Sequence, residues 1–350
     1  MITELGHFAL ILAFAAAIAQ MTLPFVGVRK NRPAWMAAAM PAVVMQLALT
    51  TGSLVALSVG FVTLDFSIAL VTENVNTQMP VLSRISAVWG AYEGSLLLWA
   101  LILALFGAVS ALSGGALPHR LRACALAVHG AISTAVLGFI LFASNPFLRL
   151  ETPPFEGAGA TALLQDQGLA LAPFLVLLGS AGLAVAFSFA VAALIEGRNN
   201  AHWSRWLGYW SSAAWIFLTV AAGLRVWRAL SATGIGAVED PSGQALFALW
   251  VLAAGLACLA VLTKRRAALA RGTILVAIVG FGAALFAVFF LQSDRLFSGQ
   301  TFARDLLGFA ILAVFTGGGL GLFAARARAI NLPKALSASE KARLAALMAD

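Results

Sequence analysis

The chain has 350 residues, 61% of them hydrophobic and only 10% charged, with a formal net charge of +8. A soluble domain carries about 25% charged residues, and no water-soluble core of this length buries so much apolar surface, so the natural solvent is a bilayer. The basic residues stand in short clusters between apolar runs, which fits membrane topology and excludes a nucleic-acid-binding surface.

The expected fold class is all-α, a polytopic integral membrane helix bundle. Nine apolar runs lie near 5–27, 37–59, 93–113, 122–143, 171–195, 208–229, 245–263, 271–292 and 305–325. Each is long enough to span, since about 20 residues at 1.5 Å rise cross the hydrocarbon. The N-terminus has no basic segment or small-residue cleavage site of a signal peptide, so the first run is expected to be kept as a span. Odd-numbered loops are basic: Arg29, Lys30 and Arg32; His119, Arg120 and Arg122; Arg198 and Arg205; Lys264, Arg265 and Arg266; and, after the last run, Arg326, Arg328 and Lys334. Even-numbered loops hold acids, among them Asp65, Glu73, Glu151, Glu156, Asp166, Glu239, Asp240 and Asp294. This alternation predicts an N-terminus outside and a C-terminus in the cytoplasm.

The organisation expected is one transmembrane domain over 1–330, with extracytoplasmic loops near 60–92, 144–170, 230–245 and 293–304, and a cytoplasmic tail over 331–350. Ser339 in that tail reads either as the cap of a short amphipathic helix or as part of a chain end without a role.

The most informative stretch follows a polar, turn-like segment from Val75 to Arg84. It runs Trp89-Gly90-Ala91-Tyr92-Glu93-Gly94-Ser95-Leu96-Leu97-Leu98-Trp99 and opens the third apolar run. A carboxylate there is costly without a partner and reads as functional; an interfacial aromatic belt with a helix-capping glutamate is the plainer alternative. Arg84, or a backbone amide at the start of the third span, is the expected partner of Glu93.

Elsewhere chemistry is sparse. There is no P-loop, GxSxG, HExxH or CxxCH. The four histidines do not pair at helical spacing; His129, inside the fourth run, reads as a ligand or an interhelical hydrogen-bond donor. Cys124 and Cys258 lie singly in apolar runs, so neither a disulfide nor a metal site is expected, and Cys258 reads as a small packing residue. The glycines of Thr316-Gly317-Gly318-Gly319-Leu320-Gly321 read as close helix packing. Asp240-Pro241 reads as a helix start with proline at the first helical position.

Taken with Asn74-Val75-Asn76, Pro80 and Arg84-Ile85-Ser86-Ala87, the Trp89–Trp99 stretch resembles the CcmF/NrfE type of haem lyase subunit, a cytochrome c-type biogenesis family of the bacterial inner membrane. Glu4-Leu5-Gly6-His7-Phe8-Ala9-Leu10, Ser144-Asn145-Pro146-Phe147, Leu163-Leu164-Gln165-Asp166, Gly179–Gly197 and Ala214–Thr219 carry the resemblance over nearly the whole chain. It implies a multi-pass inner-membrane protein whose main loops face the periplasm. It also implies other membrane subunits and apocytochrome c as partners, and haem as the cofactor delivered to CxxCH thiols.

The same resemblance exposes departures. Tyr92 stands where the motif usually has histidine. Ala172, Gln300 and Cys258 stand at other histidine positions of the family, leaving Cys258 and His129 as the remaining candidate haem ligands. Of the family's tryptophan-rich segment, Gly234–Trp250 keeps Asp240-Pro241, Ala245, Phe247 and Trp250, without the aromatic platform. The family's later spans, one with a haem-ligating histidine, are expected to be absent.

The residues that carry the resemblance, and hence the candidate site, are Arg84, Trp89, Gly90, Tyr92, Glu93, Gly94, Ser95, Trp99, Asp240, Pro241 and Trp250. Two functions follow: a diverged subunit of a haem lyase complex, or a non-catalytic scaffold of a membrane complex that has lost haem binding. The missing ligands favour the scaffold at the level of mechanism, and enzymatic competence is left open. A small-solute transporter finds little support, since few ionisable groups fall in mid-span.

Overall fold

The computed structural model describes residues 2–113, 117–159, 167–197, 201–232, 241–291 and 302–329. Thirteen α-helices are described: α1 (Ile2–Arg29), α2 (Pro33–Ala37), α3 (Ala39–Thr63), α4 (Ala69–Asn74), α5 (Val81–Gly90), α6 (Tyr92–Ser113), α7 (His119–Ala143), α8 (Gln167–Glu196), α9 (Ala201–Ala232), α10 (Pro241–Arg265), α11 (Ala270–Phe286), α12 (Phe302–Leu312) and α13 (Gly318–Arg326). Two π-helical turns, Ala287–Leu291 and Ala313–Gly317, extend α11 and join α12 to α13. Among the described residues nine helical segments are long and apolar enough to cross a membrane.

The helices begin and end where local chemistry dictates. Pro33 and Pro241 sit at first helical positions, where a missing N–H costs nothing. Leu64 ends α3 in the left-handed region (φ 57°), its N–H satisfying carbonyls of the last turn. The third and fifth spans are central, each 78% buried in its most apolar window, and the last span is peripheral at 17%. Lipid is as apolar as leucine, so helices associate through close backbone approach. At the α8–α9 contact a Cβ added at Gly179 would lie 2.6 Å from Leu218, and one at Gly182 would lie 2.9 Å from Ala214.

The glycines of the last span pack less uniformly than their spacing implies. Gly319 meets Ile278 and Phe187, and Thr316 lies against Gly282, while Gly317, Gly318 and Gly321 face open space. The π turn at Ala313–Gly317 falls within this run.

The long second loop is more helical than its polar composition implies. α4 occupies its middle, and α5 begins at Val81, so only part of Val75–Arg84 is turn. This loop is joined to residues 144–158. Ile68 and Arg149 form an antiparallel bridge, flanked by Ala69 N–H donating to Leu148 O and Leu150 N–H donating to Ser67 O, both at 2.9 Å. Farther out, Ala158 N–H donates to Thr72 O at 2.8 Å. Thr77 then grips both oxygens of Glu156, its N–H at 2.8 Å and its hydroxyl at 2.7 Å.

The start of α1 is tied to the same layer. Arg149 reaches Thr3 Oγ1 at 3.1 Å and Glu4 at 3.4 Å, His7 stacks on Phe147, and Asn145 lies 3.3 Å from His7 Nε2. At the opposite, basic end Arg120 pairs with Glu196 at 3.4 Å and donates to Asn31, and Arg326 donates to Ile195 O at 2.9 Å.

The two donors from Thr77 favour the charged form of Glu156 and hold its carboxyl below the ordinary range. A lowered folded pKa contributes stability above the unfolded value, about 4.3 for glutamate, and loses it as pH falls through the folded one. Amide-exchange protection over residues 72–79 and 150–158 should therefore be high at neutral pH and be lost as the pH falls through the lowered Glu156 pKa. Glu156→Gln should exchange faster at neutral pH and lose most of that pH dependence. Equal exchange in the two proteins at every pH would show that the clasp does not depend on the carboxylate.

Candidate functional site

The Trp89–Trp99 motif straddles a tight junction between two helices. Trp89 and Gly90 end α5, Ala91 is extended (φ −78°, ψ 145°), and Tyr92 opens α6. The chain turns without a loop because Ala91 N–H donates to Ala87 O at 3.1 Å and Ser95 N–H donates to Ala91 O at 2.8 Å. Ser95 Oγ adds a bond to Tyr92 O at 2.7 Å. Gly94 makes the junction sterically feasible: a Cβ there would stand 1.7 Å from the Val88 carbonyl oxygen.

Arg84 stabilises the approach to this junction. Its guanidinium donates to three carbonyl oxygens, those of Met79 at 2.8 Å, Thr77 at 3.0 Å and Val62 at 3.2 Å. Val62 lies in the last turn of α3, where carbonyls lack helical partners and carry the negative end of the helix dipole. The planar fork of arginine suits three acceptors in different directions. Arg84 is thus spent on backbone carbonyls. Glu93 and Asp305 both act electrostatically on Tyr92.

The buried side of the motif meets the eighth and ninth spans. Trp99 is fully buried and packs edge-on against Phe289, with centroids 6.0 Å apart. Phe139 meets Phe289 from the other side at 4.7 Å. Phe289 lies in the π turn after α11, where the hydrogen-bond ladder shifts register and carbonyls are left without their usual partners. The Tyr92 hydroxyl donates to Phe289 O at 3.0 Å. Over the same ring, 4.7 Å from its centroid, lies the Arg304 guanidinium, and Arg304 Nε is 3.4 Å from Asp305, itself 4% exposed. Tyr92 is therefore the hub of a node joining α6, the α11 π turn and α12.

Arg304, Asp305, Phe139 and Phe289 are absent from the sequence reading. A signal existed for two of them: an Arg-Asp pair at the head of an apolar run is costly in lipid and marks a site by default. The phenylalanines carry no such mark among 24 of their kind.

The other candidates lie elsewhere. Asp240 falls outside the described residues, as do Gln300 and residues 234–240 of the tryptophan-rich segment. Pro241 is the first residue of α10. Trp250 belongs to the α9–α10 contact, its Nε1 donating to Thr219 Oγ1 at 2.8 Å and its ring 5.4 Å from Phe247. Cys258 is exposed on α10 among the described residues.

His129 is buried with Nε2 2.8 Å from Leu103 O, and its ring fills the space left by Gly107. The cavity beside it measures about 10 Å³, against the several hundred of sites that hold cofactors. Among the described residues no three His, Cys, Asp or Glu side chains converge into a metal site.

The family model described as Cytochrome C assembly protein matches residues 89–297, beginning at the first tryptophan of the motif. The cytochrome c-type biogenesis protein ccl1 of Rhodobacter capsulatus is 50% identical over 333 residues, 93% of this chain and 51% of its own length. The cytochrome c-type biogenesis protein CcmF of Escherichia coli is 36% identical over 340 residues, 95% of this chain and 52% of its own. A solved structure, Cytochrome c Heme Lyase CcmF, superposes with a TM-score of 0.78 at 25% identity, covering 93% of this chain and 51% of that one. The chain spans about half the length of the curated relatives it matches.

Two substitutions separate the parts of the node. Gly94→Ala forces a methyl group into the Val88 carbonyl and should destabilise the protein by about 3 kcal/mol or prevent folding, read from thermal unfolding in detergent. Tyr92→Phe keeps the ring under Arg304 but strands the Phe289 carbonyl, at a cost of about 1–3 kcal/mol. A Tyr92→Phe protein as stable as the parent would show that this hydrogen bond is dispensable.

Proposed function

The chain belongs to the cytochrome c assembly protein family, and from that premise we propose that it is an inner-membrane subunit of cytochrome c maturation that helps deliver haem to apocytochrome c. The observation that carries this reading is the 50% identity, over 93% of the chain, to a protein named for cytochrome c-type biogenesis. The proposed orientation puts the clasped loops, the α5–α6 junction and Arg304 at the periplasmic surface, supported by the basic clusters at the other end of the spans. Other maturation subunits and apocytochrome c are the partners of this reading.

Haem is the cargo of such a reaction in this reading. His129 Nε2 lies 2.8 Å from Leu103 O, and Cys258 is exposed on α10. The role assigned to this chain is structural positioning. Gly94 and Arg84 hold the motif rigid, and Tyr92 couples it to the helices that bear Arg304. We derive no chemical step through the haem iron. The alternative of a scaffold outside cytochrome c maturation is not favoured, since the relatives are named for cytochrome c-type biogenesis.

Deleting the gene should abolish covalent haem attachment to a CxxCH reporter cytochrome, scored by haem staining of denaturing gels. The intact gene should restore it, and Gly94→Ala should not. Undiminished holocytochrome in the deletion strain would overturn the function. Purified alone, the chain should be colourless in the visible range. A Soret band would overturn the positioning role by showing that the chain ligates haem itself.

A further inference from the structure

The turn that joins α1 to α2 is tightly built and strongly basic, and the proposed function makes no use of it. Asn31 takes a left-handed conformation (φ 50°), Lys30 N–H donates to Val26 O at 2.9 Å, and Arg32 N–H donates to Gly27 O at 2.8 Å. Gly27 permits the close return of the chain, since a Cβ there would stand 2.7 Å from Met36 N and 2.9 Å from the Trp35 carbonyl carbon. The turn brings two cations to one aromatic ring. Lys30 Nζ lies 5.9 Å and the Arg32 guanidinium 5.6 Å from the Trp35 ring centroid. Trp35 keeps 37% of its surface exposed, as an aromatic at a membrane–water interface does.

The start of α7 adds positive charge at the same place. Arg120 Nη1 donates to Asn31 Oδ1 at 3.3 Å, which ties the turn to α7. Arg29, Lys30, Arg32, Arg120 and Arg122 thus gather at one edge of the bundle. Among them only Arg120 has a described ion pair, with Glu196 at 3.4 Å. Like charges held together beside low-dielectric lipid repel one another unless an anion sits among them. Apolar surface continues inward from the cations: Phe25 stands one turn before Arg29 on α1, Leu23 two turns before Lys30, and both are exposed.

We propose that this surface is a binding site for an anionic phospholipid, with the phosphate seated over the α1–α2 turn among Lys30, Arg32 and Arg120 and the acyl chains lying along Leu23 and Phe25. A phosphodiester offers the acceptor oxygens that guanidinium and ammonium groups bind best. Trp35 marks the depth at which headgroups lie. A soluble phosphate would use the cations alone, whereas the exposed apolar residues one and two turns inward fit a ligand that carries chains. Basic surfaces at helix ends bind anionic headgroups in this way. The turn Lys264–Arg266 also carries three cations, but among its described contacts a single cation, Lys264, lies over a ring, that of Tyr209 at 5.8 Å. The inference asks only that the chain span a bilayer, so it stands apart from the role in haem delivery.

The test is native mass spectrometry of the full chain, delipidated in a neutral detergent and titrated with dioleoylphosphatidylglycerol or with dioleoylphosphatidylcholine. The parent protein should bind phosphatidylglycerol on the order of tenfold more tightly. Lys30→Gln with Arg32→Gln should remove most of that preference. Lys264→Gln with Arg265→Gln, which takes away the same charge, should keep it. Arg32 makes no side-chain cap to α2, so its replacement spares the helix start. If the Lys30 and Arg32 double variant does not fold, Arg32→Gln alone should weaken phosphatidylglycerol binding severalfold. Equal binding of the two lipids by the parent, a loss no larger in the Lys30 and Arg32 variant than in the Lys264 and Arg265 variant, or displacement of the lipid by equimolar inorganic phosphate would each overturn the proposal.

Discussion

A carbonyl oxygen left without its helical partner inside a membrane has no water to turn to, and this chain answers that constraint repeatedly with a side-chain donor from another element. Tyr92 serves Phe289 where the π turn shifts the ladder, and Arg84 serves the end of α3. Arg326 serves Ile195 in the last turn of α8, while Gln20 and Trp203 place their own N–H donors on the Leu126 and Phe189 carbonyls of helix interiors. Each such bond joins separate elements through the backbone of one of them. The packing around it then has a fixed register, which apolar contacts between lipid-immersed helices supply only weakly. The Trp89–Trp99 motif sits where two of these devices, Arg84 and Tyr92, are a helix apart.

Much of the fold was legible because it obeys a one-dimensional rule. Apolar runs of spanning length appear as the nine segments, and prolines at 33 and 241 mark helix starts as their fixed φ requires. The helices within the second loop were hidden because α4 and α5 are short and half-exposed, with polar residues interleaved. Of the candidate site, the cluster from Trp89 to Trp99 was legible as a motif, but its partners were not. Arg304 and Phe289 lie about 200 positions away in sequence, and no periodicity connects them to Tyr92. The guanidinium of Arg84 goes to backbone carbonyls, one of them at the end of α3, acceptors that composition does not display.

Tyrosine at position 92 illustrates how a site can keep its shape while its chemistry changes. A phenol is a hydrogen-bond donor and a flat π surface, and this protein uses both, one for the Phe289 carbonyl and the other for the Arg304 cation. The family resemblance puts histidine there. The node therefore reads as a mechanical coupling between the junction and the last two spans, consistent with a positioning role in haem delivery.

The clasp between the second and fourth loops bears on how the molecule is made. Its hydrogen bonds, and the ties from Arg149 and Asn145 back to the start of α1, all fall within residues 3–158. α1, α3, α6 and α7 pack against one another within the same interval. The described hydrogen bonds of the clasp therefore need no residue of α8 or of any later helix. The later spans are added to a finished wall, with Tyr92 waiting at its edge as the point of attachment.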